Sequence, residues 1–267
     1  MRYLAIAFLA GALAASAQTP AISPGGVLNG ASFDTSGQPI PPGALVSVFG
    51  SNLTAATAQA SSVPLSTQLS DVSVTFNGQP APMLGVFKLD GYDQINLQVP
   101  WEVSASGSAQ VVVTRNGVAS APATITMGAA APGIFAIGNQ AVAYGNSDGA
   151  IAAAVTAGLP FASHPAKIGD PTTLVILCTG LGPVSPPVAS GRAANDGALH
   201  QTTTQPVVLV GGVPAQVVFS GMTPQFVGVY QLNIVIAAGT PTGNAVPLQI
   251  SMNGVTSRND ITIAVTQ

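Results

Sequence analysis

The chain has 267 residues, of which 47% are hydrophobic and only 6% charged. Typical globular domains carry about 25% charge, but disorder needs the opposite balance, high charge with few apolar groups, and is excluded. A net charge of −3 with six basic side chains leaves no basic stripe for phosphates, which excludes nucleic acid as a partner.

In chain order, Met1-Arg2 precedes an apolar run from Leu4 to Ala15, and Ala15-Ser16-Ala17 precedes Gln18. A positive start, an h-region and a small-x-small site form a secretory signal peptide, with cleavage expected after Ala17. The run is too short to span a bilayer, which takes about 20 apolar residues. No cysteine follows the site, no later apolar run reaches spanning length, and Gln267 ends the chain without a hydrophobic tail. The expectation is a soluble protein outside the cytoplasm, extracellular or periplasmic, with a charge of −4 once Arg2 is removed. Cys178 is the single cysteine, so no internal disulfide forms and packing alone must hold the fold.

Beyond Gln18 the chain alternates short β-rich runs with glycine and proline. The runs are 45–49, 72–76, 94–99, 110–114, 174–178, 207–210, 215–219, 231–236, 248–252 and 261–265. Val72-Ser73-Val74-Thr75-Phe76 alternates strictly, as a half-buried strand does. Asn77-Gly78, Asn116-Gly117, Gly211-Gly212 and Asn253-Gly254 supply the positive φ values of tight hairpin turns. Residues 53–60 read as one short helix. Many short strands separated by turns predict an all-β sandwich or barrel.

An internal repeat refines this. Asp93-Gln94-Ile95-Asn96-Leu97 recurs as Tyr230-Gln231-Leu232-Asn233-Ile234, and Asn116-Gly117-Val118-Ala119-Ser120 recurs as Asn253-Gly254-Val255-Thr256-Ser257. The organisation expected is a signal peptide over 1–17, a first immunoglobulin-like β-sandwich over 18–135, a connecting hairpin or linker over 136–165, and a second such sandwich over 166–267.

Several motifs carry a resemblance. Asn29-Gly30-Ala31-Ser32-Phe33, Pro42-Gly43, Phe49-Gly50-Ser51-Asn52-Leu53 and 94–101, ending in Val99-Pro100-Trp101, belong to the first half. Pro132-Gly133-Ile134-Phe135, Thr179-Gly180-Leu181-Gly182-Pro183 and Tyr230-Gln231-Leu232-Asn233 follow. In this order they resemble the Solibacter-type uncharacterised C-terminal domain of secreted bacterial proteins, over nearly the whole chain after Ala17. Each half is similar, more loosely, to the immunoglobulin-like fold of plexins and transcription factors (IPT/TIG). The second copy departs from the pattern, with Ile236-Ala237-Ala238 in place of Val99-Pro100-Trp101. The resemblance implies fold and location, and no chemistry.

Candidate sites weigh against chemistry. Gly145-Asn146-Ser147-Asp148-Gly149 matches the G-x-S-x-G nucleophile elbow, but an elbow needs a helix after it and a parallel sheet around it. Gly158 and Pro160 leave little helix, so a hairpin turn is expected. Gly180-Leu181-Gly182 lacks the third glycine of a dinucleotide site, and Pro183, Pro186 and Pro187 forbid the helix that would hold a pyrophosphate. His164 and His200 read as exposed loop residues, and Cys178 as a buried inert thiol. Asp90 and Asp93 flank Gly91-Tyr92, but calcium wants six or more oxygens, so a solvated loop is expected. Trp101 is assigned to packing between modules, ahead of a carbohydrate platform. Asn52-Leu53-Thr54 is a glycosylation sequon. The repeated amides Gln94, Asn96, Gln231 and Asn233 are assigned to satisfying backbone groups of the adjacent loop. No cofactor, metal or catalytic residue is expected.

The functional expectation is a secreted, non-catalytic structural or adhesive protein of the cell exterior, not an enzyme. Its partners would be a cell-surface or extracellular protein or glycan. Homotypic pairing through sandwich edges is also open, since Lys88 and Lys167 are the only lysines and charge is the usual defence of an edge. The alternative is a glycan- or peptide-binding accessory module, which an exposed aromatic strip would favour.

Overall fold

The computed structural model describes residues 18–267; the expected signal peptide over 1–17 lies outside the described residues. The fold is all-β, with two sandwiches of the same strand order. The first is built from β1 (Ala21–Asn29), β2 (Leu45–Ser51), β3 (Val72–Phe76), β4 (Met83–Leu89), β5 (Tyr92–Gln98), β6 (Ser108–Arg115) and β7 (Ala123–Thr126). The second uses β8 (Ala143–Gly145), β9 (Leu174–Thr179), β10 (Val207–Val210), β11 (Gln216–Met222), β12 (Tyr230–Val235), β13 (Gly243–Met252) and β14 (Thr262–Thr266).

One sheet of the first sandwich runs β1-β2-β5-β4, and the other pairs β3, β6 and β7. The second repeats this as β8-β9-β12-β11 and β10-β13-β14. This division of strands is that of the constant-type immunoglobulin sandwich. All pairings between these principal strands are antiparallel.

Alternation explains the cores. On β5, Ile95 and Leu97 point inward and are fully buried, as are Leu232 and Ile234 on β12. Val72, Val74 and Phe76 face them across the first sandwich, and Val208, Val210, Leu248 and Ile250 do so in the second. Each such side chain contributes about 1.5–3 kcal/mol on burial, the stabilisation a disulfide-free sandwich depends on. Asn77, Asn116 and Asn253 sit at φ 49°, 48° and 51°, so the Asn-Gly turns form as expected.

Several expectations are corrected. Residues 53–60 form no helix: Leu53 is buried, and its N–H donates to Asp93 Oδ2 at 2.8 Å. Residues 136–165 are not merely a connection. Gly133–Ile134 and β8 both pair with β9, and Gln140 pairs in parallel with Thr262 on β14. The second sandwich therefore begins near Gly133, upstream of the expected boundary. Strand β1 was not anticipated, because Pro24-Gly25-Gly26 interrupts it. Its register against β2 shifts between Ile22 and Val27, an irregularity that blunts an edge strand without charge.

Candidate functional site

Two places concentrate side chains that the fold alone does not require: the seam between the sandwiches and a cavity at one end of the second.

At the seam, Trp101 packs against the core of the second sandwich. Gly43 lies beneath it at φ +77°, where a Cβ would stand 2.1 Å from the indole ring. No other residue fits there. The Trp101 backbone N–H donates to Ser190 Oγ at 2.9 Å, whose hydroxyl donates to Glu102 Oε2 at 2.8 Å. Fully buried Gln98 receives the Gly191 N–H on Oε1 at 2.7 Å and donates Nε2 to the Gly43 carbonyl at 3.3 Å. Thr179 Oγ1 accepts the Leu45 N–H at 2.9 Å and donates to the Gly228 carbonyl at 2.7 Å. Asn29 Nδ2 donates to Ala131 O at 3.1 Å, while its Oδ1 accepts from Ala31 and Ser32. A Cβ on Gly180 would meet the Ala131 carbonyl at 2.3 Å, so backbone contact explains the glycine that a dinucleotide reading would assign to phosphate.

The repeated amides do not behave as expected. Gln94 Nε2 donates to Asn96 Oδ1 at 2.7 Å, and Ser47 Oγ donates to the same oxygen at 2.8 Å. In the second copy Gln231 Nε2 donates to Asn233 Oδ1 at 3.2 Å. The amides thus bond to one another along the outer sheet face, not to a loop backbone, because their parity on the strand sets them side by side on the face opposite the core. Beside the first ladder, Phe33, Phe49 and Tyr92 form an aromatic row with ring centroids 6.1 and 5.9 Å apart. Phe33 and Tyr92 are about half exposed, at 46% and 47%.

The cavity, about 320 Å³, opens between the sheets where β8, β9, β12 and β14 end. Ala152, Ala166, Leu174, Ile234 and Ile236 give it an apolar floor, and Ser147, Asp148, His164, Lys167 and Asp170 stand at its rim. The Gly145–Gly149 segment is a turn, closed by the Gly149 N–H on the Gly145 carbonyl at 2.8 Å. Ser147 and His164 thus share a cavity, yet the arrangement is not that of a nucleophile and its base. His164 Nε2 meets Asp148 Oδ2 at 2.7 Å and Nδ1 meets the Pro165 carbonyl at 3.0 Å. Both ring nitrogens are engaged by acceptors other than Ser147, so neither is bonded to the serine hydroxyl as a general base would be. The Pro165 carbonyl, then Asp148, accordingly raise the His164 pKa. The His164 bond, then the Ala150 N–H, hold the Asp148 carboxyl below its ordinary range.

His200 departs from expectation: it is buried, with Nδ1 on the Pro186 carbonyl at 2.7 Å and Nε2 on Asp196 Oδ1 at 2.9 Å. The Pro186 carbonyl, then Asp196, raise its pKa. Asp93 is likewise buried, not solvated. Strand β5 begins at Tyr92, so Asp93 shares the inward parity of Ile95, and Lys88 Nζ stands 2.8 Å from its Oδ1. With Leu53 N–H on one oxygen and an ammonium on the other, it is not free for calcium. Among the described residues no cluster of three or more His, Cys, Asp or Glu could hold a metal. Burial of Cys178 pushes its thiol pKa far up, as an inert thiol requires. Within the sequon, Leu53 and Thr54 are buried. Asp170, Thr173 and Ser190 are site residues the sequence did not single out.

No family model matches the chain, and no curated protein matches it. Solved structures do. One is SGBP-B of the Bacteroides ovatus mixed-linkage glucan utilization locus in complex with a mixed-linkage heptasaccharide, at 10% identity and TM-score 0.32, over 85% of this chain and 42% of that one. Another is SGBP-B from a complex xyloglucan utilization locus in Bacteroides uniformis, at 13% identity and TM-score 0.26, over 92% and 50%. Domains 5-6 of the S-layer protein SbsC match at 11% identity and TM-score 0.23, over 93% and 99%. The chain spans half the length or less of the first two. Likeness at this level is common among sandwiches of unrelated activity. No helix of the described residues is long and apolar enough to cross a membrane.

Proposed function

We propose that the protein is a non-catalytic structural or adhesive unit of the cell exterior, in which two sandwiches act as one rigid body. The observation that carries this is the seam. Gln98 and Thr179 are fully buried and each bonds backbone groups of both sandwiches. Fixed geometry suits a spacer or scaffold more than a hinge that closes on substrate. The engagement of both His164 ring nitrogens, by Asp148 and by the Pro165 carbonyl, supports the non-catalytic reading. Exposure outside the cytoplasm and the Solibacter-type affiliation rest on the sequence motifs. The partner would be an extracellular protein or glycan, or a second copy through an edge such as β1.

The test is to fractionate the producing cells and probe for the chain and its N-terminus. The expected result is export with Gln18 first and no esterase or peptidase activity that Ser147→Ala removes. A cytoplasmic chain, or a hydrolase that depends on Ser147, would overturn the proposal.

A second reading, a glycan-binding accessory module, is favoured by the row of exposed Phe33 and Tyr92 with half-buried Phe49 between them, beside the Gln94–Asn96 amides. Aromatic rings and uncharged amides are the groups that meet sugar faces and hydroxyls. Binding to a glycan array that Tyr92→Ala abolishes would establish it.

A further inference from the structure

Three features of the cavity at the end of the second sandwich stay unexplained by packing. Lys167 is exposed on the rim and, among the described residues, has no carboxylate partner within salt-bridge distance. Asp170 uses Oδ1 for the Thr172 N–H at 2.8 Å and the Thr172 hydroxyl at 2.7 Å, and among the described residues its Oδ2 receives no bond. Thr173 lines the same cavity with its Oγ1 buried and unpartnered. It also sits at φ +67°, a genuine outlier for a β-branched residue. Strained, unsatisfied groups collect at ligand sites because the ligand supplies what the fold withholds.

The rim chemistry is balanced. Asp148 is paired with His164, so the groups left without a bonding partner among the described residues are the Asp170 Oδ2 carboxylate oxygen and the Lys167 ammonium. A lone cation or anion would meet as much repulsion as attraction there, whereas a molecule carrying both charges meets a partner for each. The floor of Leu174, Ile234 and Ile236 is aliphatic and has no aromatic ring, which suits a branched alkyl group more than a sugar. A volume of about 320 Å³ equals about ten waters of liquid, room for a body of roughly that many non-hydrogen atoms.

We propose that this cavity binds a small zwitterion with a branched aliphatic body, the chemistry of a free aliphatic α-amino acid. Its ammonium meets Asp170, its carboxylate meets Lys167, and its side chain rests on Ile234 and Ile236. The site lies apart from the seam and does not depend on the structural reading.

The test is calorimetric titration of the 18–267 chain with L-leucine, leucinamide and N-acetyl-leucine, and methyl NMR of the isoleucines. Leucine is expected to bind and to shift the Ile234 and Ile236 methyls. Each analogue, lacking one charge, should bind at least about tenfold more weakly, the loss of one hydrogen bond to a charged group. Lys167→Gln should remove the preference over leucinamide, and Asp170→Asn the preference over N-acetyl-leucine; both positions are on the rim, so the fold is kept. No binding at about 10 mM, methyl shifts elsewhere only, or equal affinity in both variants and the parent would overturn the proposal.

Discussion

The end of β5 and the end of β12 occupy equivalent places in the two copies, yet they build different things. In the first copy the strand leaves through Gln98-Val99-Pro100-Trp101, and Gln98 and Trp101 fasten the seam. In the second copy the same places hold Val235-Ile236-Ala237-Ala238, and Ile236 becomes part of a cavity floor. The inward residues Val99 and Ile236 are alike; the outward and following ones are not. A duplicated sandwich thus keeps its core by parity and differentiates at the last off-core residue of the strand and the residues just beyond it.

The comparison breaks most readily at Trp101. Trp101→Ala removes a large ring from between the sandwiches and should cost about 3 kcal/mol in urea unfolding, whereas Ala238→Gly, at the matching place, should change little. Gln98→Ala leaves the buried Gly191 N–H and Gly43 carbonyl without a partner. It should cost about 1–3 kcal/mol, against nearly nothing for Val235→Ala on the polar face.

His200 sharpens the comparison through pH. Its raised pKa means the protonated ring stabilises the fold. That contribution is complete below the unfolded value of about 6.5 and is lost as pH rises through the folded value. Tm should therefore fall across that window, and His200→Gln should shrink the fall, leaving the part contributed by His164, whose pKa is also raised. A Tm that rises over the same window would contradict the double-acceptor geometry.

The amide ladders should show smaller effects. Asn96→Ala removes the acceptor shared by Gln94 and Ser47 and should cost about 1 kcal/mol; Asn233→Ala, with one amide partner, should cost less. Equal losses would mean that the two ladders bear equal weight despite their different partners.

The sandwich class was legible because parity and turn chemistry are local. Val72–Phe76 alternates, and Asn77, Asn116 and Asn253 provide the left-handed turn positions. Strand β4 escaped notice, since Gly85 and Lys88 weaken its pattern, as Pro24 does in β1. Trp101 could be assigned to inter-module packing because one large aromatic in an aromatic-poor chain needs a partner. The rest of the seam was illegible: Leu45 and Thr179 are 134 residues apart, and nothing near either names the other. The burial of His200 depends on the Pro186 carbonyl, 14 residues away, in a stretch that reads as ordinary polar loop. Parity would have placed Asp93 inward had β5 been started at Tyr92.

The claim that the two sandwiches form one unit is tested most directly by scanning calorimetry of the 18–267 chain and its Trp101→Ala variant. A locked seam predicts one transition whose calorimetric and van't Hoff enthalpies agree, resolving into two transitions when Trp101 is removed. Two separate transitions in the parent chain, unchanged by the substitution, would contradict it.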